Sequence, residues 1–316
     1  MGKIVVIGSS NTDLTVRTAR IPQPGETVVG SDFLINAGGK GANQAVAAAR
    51  LGGDVTFVAS VGDDRFGHDA VSHYAEEGID TRFIAVHKGV ASGVALISVD
   101  AAAENCIVVA PGANSLLTPA DVDTAEEQIA TADIVLLQLE IPMETVLRAS
   151  EVAERHQVPI ILNPAPATPL SDELLRRLDL ITPNRSETEL LTGRKIADMA
   201  DAAAAVKFFR SRGVRKVIVT MGSQGAFVAD ERGEYVIPAH RVEAVDTTAA
   251  GDVFNGALAV ALAEGRGLAE AAEFAAAASA ISVTRFGAQC SIPYRRELEL
   301  QHESSSKIQK KSGLCL

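Results

Sequence analysis

The chain reads as an α/β fold: a central, mostly parallel sheet flanked by helices, with a small β-sheet lid. Three observations predict it. Apolar runs of strand length recur along the chain, stretches of 3.6-residue periodicity separate most of them, and two segments interrupt that rhythm with period-two patterning. At 316 residues the chain exceeds the usual single-core size, yet open α/β sheets reach this length as one domain with an appendage. Residues 1–300 are therefore expected to form one domain, with lid segments inserted at about 15–37 and 82–109. Residues 301–316 are polar, lack a core-forming pattern and are expected to be a flexible tail.

The strand-length runs are 4–8, 55–61, 134–139, 160–162, 180–182 and 217–221, and their near-continuous apolar character suits strands covered on both faces. Helical periodicity marks 41–51, 121–129, 144–156, 202–212 and 251–263. In the lid segments, Val94, Leu96 and Ser98 alternate with Ala95, Ile97 and Val99, which predicts antiparallel strands outside the parallel sheet. With 10 Phe, 3 Tyr and no Trp, the core must be built from Ala, Val, Ile and Leu.

The formal net charge of −11 opposes attraction to phosphate backbones, so nucleic acid and anionic membrane are poor partners. Cys106, Cys290 and Cys315 have no paired spacing, so neither a disulfide framework nor a cysteine-rich zinc site is indicated, and a reducing cytoplasm fits. The N-terminal apolar run is too short for a signal peptide, and no run is long enough to span a bilayer.

Two apparent motifs fail on inspection. Residues 4–8 are followed by Ser9-Ser10-Asn11 instead of the G-x-G-x-x-G series, which excludes a dinucleotide fingerprint. Gly38-Gly39-Lys40-Gly41 imitates a P-loop, but Leu34 and Gly41 replace the required Gly and Ser/Thr.

The sharpest chemical signal is Val245-Asp246-Thr247-Thr248-Ala249-Ala250-Gly251-Asp252, directly ahead of an apolar helix. Small residues there let backbone N–H groups at a helix start face an anion, and the helix dipole favours phosphate charge. A carboxylate at Asp252 is placed to accept a proton from an attacking hydroxyl while the amides stabilise the transferring phosphoryl group. Asn11 and Asp13 follow the first strand, where open α/β sheets carry ligands. Asn184 and Glu187 also have the spacing of a capping box, and Thr220-Met221-Gly222-Ser223-Gln224-Gly225 that of a hairpin turn.

Residues 246–252, with Gly38-Gly39-Lys40-Gly41-Ala42-Asn43-Gln44-Ala45, resemble the paired signatures of the ribokinase family of carbohydrate kinases. Asn11-Thr12-Asp13, Asn163-Pro164-Ala165-Pro166, Thr182-Pro183-Asn184-Arg185-Ser186-Glu187 and Gly287-Ala288-Gln289 follow the same pattern, and the resemblance spans about the first 295 residues. It implies ATP-dependent phosphorylation of D-ribose at O5, with Asp252 as general base beside Ala249, Ala250 and Gly251. It further implies a sugar pocket lined by Asn11, Asp13, Gly39, Lys40, Asn43, Glu140 and Asp252. ATP would be held by Asn184, Thr220, Gly222, Ser223, Gly225, Gly251 and the position of Ala276, with Glu187 reaching Mg2+ through water. An activating K+ would rest mostly on backbone carbonyls of Asp246, Thr248, Ser282, Arg285, Gly287 and Ser291, and a homodimer would form through the lid. Near Ala276 the family tends to present Asn or His to the adenine; residues 274–278 here offer only Phe and Ala. The alternatives are another acceptor (2-deoxyribose, fructose or a nucleoside such as adenosine) or a catalytically silent sugar sensor. The few aromatics weaken the nucleoside option, because a base favours a stacking platform.

Overall fold

The computed structural model describes residues 1–102 and 104–300; the expected tail lies outside them. In chain order the strands are β1 (Lys3–Ile7), β2 (Asn11–Arg17), β3 (Phe33–Gly38), β4 (Asp54–Gly62), β5 (Ile84–His87), β6 (Gly93–Val99), β7 (Asn105–Ala110), β8 (Ile134–Leu137), β9 (Ile160–Leu162), β10 (Leu180–Ile181), β11 (Lys216–Thr220), β12 (Ala226–Asp230) and β13 (Gly233–Ile237). The α-helices are α1 (Lys40–Arg50), α2 (Arg65–Glu76), α3 (Pro119–Thr124), α4 (Glu126–Ala130), α5 (Met143–Arg155), α6 (Asp172–Arg177), α7 (Arg185–Thr192), α8 (Met199–Ser211), α9 (Ala250–Ala263) and α10 (Leu268–Ser282).

Nine strands form the main sheet in the order β13-β12-β11-β10-β9-β8-β1-β4-β5, parallel except for the β11-β12-β13 meander. Side chains alternate across it. Ile4 and Val6 join the apolar layer under α1, α9 and α10, while Val5 and Ile7 join the opposite layer under α5 and α8. Burial on both faces is why these strands read as unbroken apolar runs. Helix α9 packs closely on α1 because Gly256 leaves no side chain between them: a Cβ there would lie 2.7 Å from the Gln44 carbonyl oxygen. That approach carries Asn43 and Gln44 up to the start of α9.

A second sheet of four strands, β3-β2-β6-β7, forms the lid. It differs from the sequence expectation in three ways. It begins at Asn11, β2 and β6 run parallel because the chain returns through α2 and β5, and residues 84–87 extend the main sheet beside β4 instead of joining the lid. The helix expected over 121–129 is two short helices, with Ala125 ending α3 and starting α4. Among the described residues no helix is long and apolar enough to cross a membrane.

Candidate active site

The carboxyl ends of β1, β8, β9, β10 and β11 open on one edge of the main sheet, next to the start of α9. Asn11, Glu140, Asn163, Asn184 and Thr220 all follow or end those strands, at the edge where parallel sheets leave ligand crevices. Helix α9 begins at Ala250 after Ala249, whose φ of 59° is left-handed. A non-glycine residue in that region costs on the order of 1–2 kcal/mol, and here it turns the chain so that the first amides of α9 face the crevice. Those amides have no intrahelical acceptors.

Asp252 lies in the first turn of α9 and is 6% exposed. Its Oδ2 accepts a hydrogen bond from Asn43 Nδ2 at 2.9 Å and its Oδ1 one from Gln44 Nε2 at 2.9 Å. Burial raises its pKa, with Glu140 adding to the rise, against the lowering effects of Lys40 and the two amide donors. Gly251 beside it lines a cavity of about 210 Å³ shared with Lys40, Asn184, Glu187, Thr220 and Ala249. A Cβ at Gly251 would meet nothing within 4 Å, so this glycine leaves room on the cavity side.

Lys40, the first residue of α1, forms no ion pair within 4 Å among the described residues. Burial works against its ammonium, but Asp252, Glu140, Glu187 and Asp13 together raise its pKa. It is a retained positive charge among four carboxylates. Gly39 precedes it with φ 88°, and a Cβ there would lie 2.7 Å from the Asn11 backbone nitrogen. Glu140 accepts from Lys40 N at 3.0 Å and from Ser9 Oγ at 2.5 Å, which ties β8 to the start of α1.

Asp13 is 8% exposed, and its carboxylate accepts no hydrogen bond among the described residues. Burial first, then Glu140 and Asp252, push its pKa up to about 6. It faces the larger cavity, about 740 Å³, which lies between the lid sheet and the loops around Asp246 and Gly287. A buried carboxylate without donors is suited to accept hydroxyl protons from a bound polyol. Asn11 is also buried, its Oδ1 held by Asn114 Nδ2 at 2.7 Å.

The residues predicted for a nucleotide divide. Asn184, Thr220 and Gly251 line the smaller cavity with Glu187, whereas Gly222, Ser223 and Gly225 stand outside it on the β11–β12 turn, and Ala276 packs against the core. Asn184 and Glu187 do form the capping box of α7, with reciprocal bonds of 2.8 and 2.9 Å between their backbone nitrogens and side chains. Burial raises the pKa of Glu187, and Asp252 adds to this, while the Asn184 backbone and Lys40 lower it.

Asp246 ties two loops together. It accepts from Thr248 N at 2.9 Å and Thr248 Oγ1 at 2.6 Å, and from Gly287 N at 2.9 Å. Burial opposes the charge, but these donors and Arg17 hold its pKa below the usual range. Ser282 and Ser291 turn their hydroxyls to the Ser279 and Ala288 carbonyls at 2.8 Å each, and Arg285 pairs with Glu297.

Sequence reasoning missed the amide network behind these groups. Gln44 donates to Asn163 Oδ1 at 3.1 Å as well as to Asp252, and Gln138 donates to Gln44 Oε1 at 2.6 Å. Gln289 donates to Asn43 at 3.2 Å. The available signal was a glutamine at the end of an otherwise apolar strand run, which calls for a buried polar partner.

Residues 1–295 match the model of the pfkB family of carbohydrate kinases. A ribokinase of Haemophilus influenzae is 46% identical over 294 residues, covering 93% of this chain and 96% of that protein. A deoxyribokinase of Salmonella typhimurium is 39% identical over 291 residues, 92% of this chain and 95% of its own. The structure of Arabidopsis thaliana ribokinase complexed with ribose and ATP superposes with a TM-score of 0.88 at 32% identity, covering 94% of this chain and 98% of that one. With the signature segments converging on the start of α9, the chain belongs to the pfkB family of carbohydrate kinases.

Proposed function

We propose that the protein transfers the γ-phosphate of ATP to the O5 hydroxyl of D-ribose, with Asp252 as general base. The observation that carries this reading is the position of Asp252. A buried carboxylate held by two amide donors stands in the first turn of α9, beside the helix-start amides and on the wall of the cavity that Lys40, Asn184, Glu187 and Thr220 line. The ribokinase relatives support ribose as acceptor and ATP as donor.

In this reading Asp13, Asn11 and Asn43 orient the sugar, and Asp252 takes the proton of its terminal hydroxyl. The amides of residues 249–252, with Lys40, stabilise the charge on the transferring group. Asn184 and Thr220 contribute to the nucleotide side, with the β11–β12 turn. Among the described residues no cluster of three or more His, Cys, Asp or Glu is arranged to hold a metal. That fits Mg2+ carried by ATP, since magnesium keeps waters and phosphate oxygens as ligands and asks the protein for one carboxylate, here Glu187. The ion would neutralise phosphate charge.

The outward face of the lid supports a homodimer: Ile35, Leu14, Leu96 and Val108 stand side by side across its four strands, and Ile35, Leu96 and Val108 are more than half exposed. The tied loops at Asp246 and Gly287 are the proposed K+ site. The reaction uses cytoplasmic metabolites, and we place the protein in the cytoplasm.

The deoxyribokinase relative supports 2-deoxyribose as a second acceptor. Assaying ADP formation with ribose, 2-deoxyribose, fructose and adenosine, with Mg2+ and matched KCl, NaCl or CsCl, tests all of this. Ribose in KCl is expected to be fastest. Equal rates in the three salts would remove the cation site, and faster turnover on 2-deoxyribose would change the acceptor.

A further inference from the structure

Gln138 lines neither cavity, yet its neighbours fix the direction of its amide. The ionised Asp252 carboxylate only accepts, so the Gln44 group facing Oδ1 at 2.9 Å is the NH2. The same NH2 faces Asn163 Oδ1 at 3.1 Å, because the Asn163 NH2 is turned to the Thr182 carbonyl at 3.3 Å. The Gln44 oxygen therefore faces Gln138, which must donate to it at 2.6 Å. Reversing Gln138 would bring two carbonyl oxygens to that separation. The arrangement leaves Gln138 Oε1 against Gly8, fully buried and without a donor among the described residues. Native interiors seldom leave such an acceptor unpaired, and Gln44 and Gln138 are both 0% exposed.

From this chain of amides we propose that Gln138 is a positioning residue for phosphoryl transfer: by donating to Gln44 it keeps the Gln44 NH2 on Asp252 Oδ1 and fixes the direction of the carboxylate. The proposal rests on the reading of Asp252 as base. Without the Gln138 donor, the Gln44 oxygen is left unpaired in the core, Gln44 loses the bond that fixes its side chain from behind, and its hold on Asp252 Oδ1 loosens while that of Asn43 stays. Small displacements of a reacting group are expensive in rate, whereas substrate affinity depends on groups that Gln138 does not touch.

The test is Gln138→Met, which keeps the side-chain length and removes both polar ends, with Gln138→Leu measured beside it. Losing the unpaired Gln138 oxygen offsets leaving the Gln44 oxygen without its donor, so Tm is expected to change little, while kcat falls about tenfold and KM for ribose and ATP stays within about twofold. Gln44→Met and the double variant complete a cycle: residues acting through one another give a double variant no worse than the poorer single one. A wild-type kcat in folded Gln138→Met or Gln138→Leu, or losses that simply add in the double variant, would overturn the proposal. Measuring Asp252→Asn in parallel separates the two readings. Near-normal turnover there removes the base itself, whereas an inactive Asp252→Asn beside an unimpaired Gln138→Met removes only the role of Gln138.

Discussion

In the nine-stranded sheet Ile4, Val5, Val6 and Ile7 are each at most 2% exposed, while Ile35, Leu96 and Val108 of the lid sheet are all more than half exposed. Both sheets are apolar, but only the first is covered. The main sheet is sealed between two helical layers and spends its buried volume at one edge on polar groups: Gln44, Gln138, Asn163 and Asp252. Burying those groups costs free energy unless they are paired, and among the described residues Gln138 Oε1 alone of them goes without a partner, a deficit of about 1–3 kcal/mol. The lid makes no such investment. It faces the larger cavity with Asp13, Thr15, Arg17 and Asn36 beside Leu34 and Ile97, and its other face, with Ile35, Leu96 and Val108, is apolar surface awaiting cover. On the proposed reading, the chemistry belongs to the sealed sheet and the enclosure of the acceptor to the open one.

Three variants sharpen or break that division. The largest effect is expected at Asp252→Asn, which retains both amide neighbours but cannot take a proton: kcat should fall by about 100-fold or more with the fold and ATP binding intact. Steady-state kinetics with circular dichroism check it.

Next comes Asp13→Asn at the root of the lid. We expect kcat/KM for ribose to drop by roughly 10- to 100-fold while ATP binding, measured by calorimetry, is unchanged. The wild type should also lose kcat/KM as pH falls through about 6, because burial raises the Asp13 pKa to about 6 and its carboxylate is protonated below that. Asp13→Asn should lack that limb. An identical pH profile in both proteins would take Asp13 out of the sugar site.

The smallest effect is expected on the lid face. Leu96→Glu should convert a dimer to a monomer in light scattering and lower kcat/KM for ribose by less than about tenfold, under about 1.4 kcal/mol. A wild type that is already monomeric at assay concentration would break the dimer reading.

How much of this was legible in the sequence follows the same division. The sealed sheet announced itself, because strands buried on both faces must be apolar throughout: all six expected runs are strands. Asp252 was legible because a short run of small residues before a helix has a physical meaning. The lid was read less well. Period-two patterning shows that a segment is a strand but not which neighbour it takes, so the parallel β2-β6 pair and the transfer of residues 84–87 to the main sheet were invisible. The strands β12 and β13 were missed, although the turn at residues 220–225 that leads into them was read as one a hairpin can use. The amide network stayed hidden because its members, Asn43, Gln44, Gln138, Asn163 and Gln289, are far apart in sequence, and nothing in one chain tells which amides meet.

The reaction proposed for this site is transfer from ATP to the terminal hydroxyl of ribose. Phosphorus NMR of the wild-type protein with ATP, Mg2+, K+ and ribose tests it most directly. We predict one new phosphomonoester resonance, coupled to the two protons on C5 and growing in step with ADP. Inorganic phosphate in place of the ester, or an ester on another carbon of the sugar, would contradict it.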